Sequence, residues 1–219
     1  MEIVKPGNCV VIFPFPRTQN AFIDSVTNKC NSFAGECAFD GWEYYNEKIL
    51  SVFNKLFDFM TAFGVRIYTE SSLDNSGGCM YKPGGISWPG FRHKPGLKGI
   101  LTDRTVGAVI LFSHFDDKQG MEFYDAFKTK KEILNAIPFG YDGVIDLFVC
   151  NPNDPNEQQG KKMFEFLLEQ RPNCNVLYRD GKPNPDAWIE FYCKLFRIMN
   201  TSHLSYEEAA AEAAVINLK

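Results

Sequence analysis

Two residues in this chain join a reactive side chain to a useful position. His114 closes the apolar run Val-Gly-Ala-Val-Ile-Leu-Phe-Ser over 106–113, and Cys150 closes Gly-Val-Ile-Asp-Leu-Phe-Val over 143–149. A thiolate attacks a carbonyl where a thiol does not. An imidazole within reach takes the thiol proton, stabilises the thiolate and later protonates a leaving amine. Backbone N–H groups near the same strand ends can hold the developing oxyanion. The pair therefore spells acyl transfer through a cysteine nucleophile, if the two runs are neighbouring parallel strands about 4.8 Å apart. Cysteine is also among the most buried residue types, so spacing alone leaves a packing role open.

The surrounding pattern supplies such strands. Cys-Val-Val-Ile-Phe-Pro-Phe over 9–15 is consecutively apolar, as in a strand buried on both faces. Ile49, Phe53, Leu56, Phe57, Met60 and Phe63 recur every three or four residues, which predicts a helix over 42–63 with Gly64 at its C-terminal cap. Val-Arg-Ile-Tyr-Thr over 65–69 alternates like a short strand. Thr129 and Glu132 form a capping box for a helix ending near Pro138. Asp154-Pro155 reads as N-cap and first helical residue of the next helix, which carries Met163, Phe164, Leu167 and Leu168. A strand over 175–178 and helices over 184–199 and 206–216 complete the chain. Strand, helix and strand in this order predict a mostly parallel sheet with helices on both faces, in one domain spanning 1–219 with insertions at about 17–41 and 71–103. The second insertion is rich in Gly and Pro, and its Trp88–His93 stretch suits either a lid or a surface loop.

Composition narrows the function. With 45% hydrophobic residues, twenty Phe among them, the chain can bury a core without staples. A net charge of −4 with no basic stripe argues against a nucleic-acid partner. No segment approaches the ~18 apolar residues of a membrane span, and the first residues lack a signal-peptide pattern, so a cytoplasmic protein is expected. Seven irregularly spaced Cys, no C-x-x-C pair and three His argue against a disulfide framework and a structural zinc site. No phosphate-binding glycine motif is present, which leaves nucleotide binding without support.

The sequence also resembles a family. Val-Ile-Leu-Phe-Ser-His114, Met-Glu-Phe-Tyr-Asp125-Ala, Lys-Glu-Ile-Leu-Asn-Ala-Ile-Pro138 and Gly-Val-Ile-Asp-Leu-Phe-Val-Cys150 follow the element order of the caspase-like cysteine peptidases, most closely that of CHAT domains. Phe57-Asp-Phe-Met-Thr-Ala-Phe-Gly-Val-Arg-Ile-Tyr68 is similar to the helix and strand that precede this unit, and Trp188-Ile-Glu-Phe-Tyr-Cys-Lys-Leu-Phe196 with Tyr206-Glu-Glu-Ala-Ala210 to the family's last helices. The likeness spans about 9–15 and 49–216. It implies a caspase-like three-layer α/β sandwich and a cysteine endopeptidase acting on a protein substrate. Cys150 would be the nucleophile, His114 the general acid/base, and the backbone N–H groups of Phe115 and Cys150 the oxyanion donors. No metal or other cofactor is implied, and control by processing or by a regulatory or sensor protein is.

The sequence departs from the family at two places. Phe115 stands where the family has Gly, and Asn151-Pro152-Asn153-Asp154 replaces a small or glycine-containing turn. These departures keep a second reading open, an inactive caspase-like scaffold that binds a partner protein. Asp116 and Asp117 suit a pocket for a basic side chain or a plain solvated turn. Arg179 and Asp180 end the last strand, where the family places specificity residues. Arg179 would pair with an acidic substrate residue, and Asp180 with a basic one.

Overall fold

The structure, a computed structural model, describes residues 4–29, 37–76, 80–82, 86–88, 94–116, 120–149, 159–178 and 185–215. Five strands form the parallel centre of a seven-stranded sheet: β1 (Cys9–Phe13), β2 (Arg66–Thr69), β7 (Ala108–Ser113), β11 (Val144–Val149) and β12 (Asn175–Tyr178). The sheet runs β12-β11-β7-β1-β2 and continues through an antiparallel hairpin, β4 (Met80–Lys82) and β5 (Ile86–Trp88). The chain moves from β1 outward to β2, then returns to β7 on the other side of β1. The direction of winding therefore reverses between β1 and β7, and the crevice at such a reversal lies beyond the strands' carboxyl ends.

Two apolar layers enclose the sheet, because consecutive side chains on a strand point to opposite faces. Cys9, Val11, Phe13, Ile110, Phe112 and Phe148 face α3 (Ser51–Ala62), α7 (Pro185–Thr201) and α8 (Tyr206–Val215). Val10, Ile12, Val109, Leu111, Ile145 and Leu147 face α4 (Leu97–Leu101), α5 (Lys130–Ala136) and α6 (Gln159–Gln170). Every residue of β1 and β7 is buried, as their unbroken apolar runs require. The result is a three-layer α/β sandwich with a mostly parallel sheet, the fold class expected from the sequence.

Several helix ends follow the expected local chemistry. Gly64 has φ +85° and donates to the Thr61 carbonyl, while the Val65 N–H reaches Met60, so α3 closes in a Schellman turn. The Thr129 hydroxyl accepts the Glu132 N–H at 3.3 Å, and the Glu132 carboxylate accepts the Thr129 N–H at 2.8 Å, which starts α5. The Asp154-Pro155 cap and residues 89–93 of the second insertion lie outside the described residues.

Other segments depart from expectation. The first insertion, for which the sequence offered no elements, holds helices α1 (Gln19–Lys29) and α2 (Cys37–Tyr44). The helix expected over 42–63 is three pieces: the end of α2, a π-helical stretch Tyr45–Leu50, and α3. The second insertion holds β4, β5 and α4, with a two-stranded sheet of β3 (Asn75–Ser76) and β6 (Lys94–Pro95).

A carboxylate interrupts the apolar interior. Asp146 lies in the middle of β11 and is fully buried. The hydroxyls of Tyr192 on α7 and Tyr206 on α8 donate to its Oδ2 at 3.2 and 2.8 Å. The carboxyl thus fastens both C-terminal helices to the central sheet. Asp146→Ala leaves two buried hydroxyls without the acceptor they share. It is expected to lower the unfolding free energy by about 2–4 kcal/mol, read from urea denaturation, and Asp146→Asn, which keeps an acceptor, by less.

Candidate active site

β7 and β11 pair in parallel from Ala108↔Val144 through Ser113↔Val149. His114 directly follows Ser113, and Cys150 directly follows Val149. Cys150 itself lies outside the described residues. One pair earlier in the register, the rings of Phe112 and Phe148 pack at a tilt with centroids 4.3 Å apart, and both belong to the layer under α7. Positions 114 and 150 share the parity of 112 and 148. Trp188 at the start of α7 packs edge-on against Phe148 at 4.6 Å, so the floor beneath this strand edge is aromatic. His114 is exposed, consistent with a residue that meets solvent or a ligand rather than the core.

The chain leaves His114 into a small three-stranded sheet, β8 (Phe115–Asp116), β9 (Gly120–Glu122) and β10 (Phe127–Lys128), in the order β10-β9-β8. The Glu122 N–H donates to the His114 carbonyl at 2.8 Å, and Phe115 is opposite Met121. In an antiparallel ladder this makes Phe115 and Met121 a non-hydrogen-bonded pair. The Phe115 N–H therefore points away from β9, on the open edge of β8. Gly120, the first residue of β9, has φ +103°, and a Cβ there would lie 2.3 Å from the Lys128 carbonyl oxygen, so the position requires glycine. Asp116 belongs to β8, while Asp117, Arg179 and Asp180 lie outside the described residues.

The sequence reading missed a second group at this edge of the sheet. Arg17 lies just beyond β1, where the chain turns through Pro14-Phe-Pro16. Its N–H is accepted by the Glu70 carboxylate at 3.0 Å, and its Nη2 donates to Asn54 Oδ1 at 2.7 Å. The guanidinium covers the Tyr81 ring at 4.4 Å, and the Tyr45 hydroxyl, from the π-helical stretch, donates to the Pro16 carbonyl at 2.9 Å. Nε and Nη1 are buried and have no partner among the described residues. Burial pulls the Arg17 pKa below its ordinary value, and Tyr81, Tyr45 and Glu70 oppose that effect. Glu70 ends β2 at φ +54°, the one non-glycine residue in the left-handed region among those described. A half-buried cation and an acid with left-handed backbone thus sit together beyond the carboxyl ends of β1 and β2. The available signal was position, an arginine just past a fully apolar strand.

A cleft of about 510 Å³ lies at the opposite end of the sheet, lined by Asn8, Arg104, Asp142, Asn175 and Glu207 among others. It opens at the amino ends of the strands, away from His114, and its polar groups partly satisfy one another, as where Asn8 Nδ2 donates to the Thr105 carbonyl at 3.0 Å. Among the described residues, no group of three or more His, Cys, Asp or Glu is arranged to hold a metal ion. No described helix is long and apolar enough to cross a membrane. A comparison with protein-family models finds no match, and searches of curated proteins and of solved structures return no significant similarity.

Cys9, Cys174 and Cys193 have the character of packing residues. Cys9 and Cys174 are 0% and 1% exposed. Burial pushes the Cys174 thiol up to about 12, and burial, reinforced by Asp146, raises Cys9 as well. Burial also raises the half-buried Cys193. In the folded protein at pH 8, Cys9 and Cys174 are expected to resist iodoacetamide and to react once the chain is unfolded, as peptide mapping would record. The folded state keeps these thiol protons where the unfolded state loses them. Their contribution to stability is therefore full below about pH 8.5 and declines as pH rises further. The urea midpoint should accordingly be lower at pH 10 than at pH 7.5.

Proposed function

We propose that the chain is a cysteine endopeptidase of the caspase-like kind, with Cys150 as nucleophile and His114 as general acid/base. One observation carries the reading: the register of β7 and β11 ends on the pair Ser113 and Val149, the residues immediately before His114 and Cys150. Matched parallel strand ends bring two side chains to one side of one crevice, the geometry a thiol and an imidazole need.

The chemistry then follows in order. The Cys150 thiol gives its proton to the His114 imidazole, and the thiolate sulfur bonds to the scissile carbonyl carbon. Negative charge moves onto the carbonyl oxygen, towards which the Phe115 N–H on the open edge of β8 and the Cys150 N–H would donate. The tetrahedral adduct collapses, the C–N bond breaks, and the departing amine takes the proton from His114. Water, losing a proton to His114, releases the acyl group and restores the thiol. The substrate on this reading is a protein. A regulatory or sensor protein, or processing of the chain, would control it.

A second reading has its own observation. β8 begins at Phe115, so a strand starts where the family has the glycine whose N–H serves the oxyanion. A domain that kept the fold and gave up turnover would serve as a scaffold for a partner protein. The test is cleavage of a cell-lysate protein mixture, followed by mapping of new amino termini. Cys150→Ala, with its unfolding transition unchanged, is expected to reduce cleavage by roughly three orders of magnitude or more. Cleavage undiminished in that variant would remove the peptidase reading. A stoichiometric partner that both forms retain would then install the scaffold.

A further inference from the structure

We propose that Ser113 is the positioning residue for His114, an inference that rests on the dyad reading above. Ser113 is the last residue of β7 and is 5% exposed. By strand alternation its side chain leaves the face opposite to that of Phe112. Its Oγ lies 2.8 Å from the His114 carbonyl oxygen and 2.9 Å from that of Glu122. A hydroxyl has one proton, which is shared between these two acceptors. The His114 carbonyl also accepts the Glu122 N–H at 2.8 Å. Two donors therefore converge on one carbonyl, one from the strand end and one from β9.

That carbonyl belongs to the peptide unit joining His114 to Phe115. Fixing the unit sets ψ of His114 and the direction of the Phe115 N–H together, since the peptide is planar. The backbone angles of His114 in turn limit its side-chain rotamers. Because His114 is exposed, its backbone carries much of its aim. Ser113 supplies this from behind, while the pairing of Ser113 with Val149 fixes the distance to the next strand. Catalytic groups held loosely lose rate steeply, on the order of 100-fold for a misplacement of about 1 Å.

A serine that merely satisfied two strand-end carbonyls would show in stability and would not act through His114. The experiment separates the two roles with Ser113→Ala and Ser113→Thr, each made in the full chain with and without His114→Ala. Two readouts are taken at pH 7: the iodoacetamide labelling rate of Cys150 by peptide mapping, and the imidazole C–H resonances of His114, assigned by their loss in His114→Ala. Ser113→Ala is expected to shift the His114 resonances and leave those of the other two histidines in place. It should slow Cys150 labelling about tenfold. The same change added to His114→Ala should slow it no further, because the two residues act as a unit. Ser113→Thr, which keeps the hydroxyl, should restore most of the rate. Unmoved His114 resonances, or equal slowing in both backgrounds, would overturn the proposal. Wild-type labelling in His114→Ala alone would instead sink the dyad, and the resonances would still decide whether Ser113 fixes His114.

Discussion

The pairing of β7 with β11 is the constraint on which the rest depends. Six consecutive Cα partners, from Ala108↔Val144 to Ser113↔Val149, fix how far each strand projects at the carboxyl edge. A slip of one residue would move each apolar side chain to the wrong face. It would set Ile110 and Phe112 against the layer that Val109 and Leu111 fill. The cost of such a slip is the burial of a whole strand, so the register is held firmly. Ser113 and Val149, the last pair of the ladder, are held at one level of that edge.

Aromatic packing reinforces the same edge. Phe13 at the end of β1 meets Phe57 at 5.0 Å, and Phe53 meets Phe112 at 5.3 Å, which joins α3 to the last residues of β1 and β7. Phe148 adds β11, and Trp188 adds α7. A dry, closely packed floor thus lies beneath a rim of polar groups: Arg17, Glu70, Ser113, His114 and Glu122. Asp146 does a different task farther down. Its two tyrosine partners hold α7 and α8 against the sheet, and α7 supplies the tryptophan that closes the floor. Arg17 and Asp146 alike join elements that are distant in sequence.

Much of the fold was legible because its parallel strands are unbroken apolar runs. Consecutive Val, Ile and Phe at 9–13, 108–112 and 144–149 could only be buried on both faces, and the intervening helices announced themselves by periodicity or a capping box. The ends of β7 and β11 at Ser113 and Val149 followed from those runs. What escaped detection was set by contacts between distant residues. Strands of two or three residues, such as β8 and β10, carry too few side chains to show alternation and exist through their partners. The π-helical stretch interrupts a regular apolar stripe at Tyr45, whose hydroxyl bonds the backbone at Pro16. Asp146 takes its role from Tyr192 and Tyr206, which come to it from the far end of the chain. Arg17 was unremarkable in sequence because its meaning comes from Glu70, Asn54 and Tyr81, all brought to it by the fold.

The central proposal is spatial: that His114 and Cys150 meet across the carboxyl edge where β7 and β11 end side by side. The most direct measurement replaces the imidazole with a second thiol, His114→Cys, and follows disulfide formation under mild oxidation by peptide mapping. Neighbouring strands at about 4.8 Å fall within the Cα separations of about 4.4–6.8 Å that a disulfide spans. Rapid, intramolecular bonding of the introduced thiol to Cys150, in preference to every other cysteine of the chain, is the result expected. An introduced thiol that stays free, or that pairs indiscriminately, would contradict the placement of the two residues and with it the proposed chemistry.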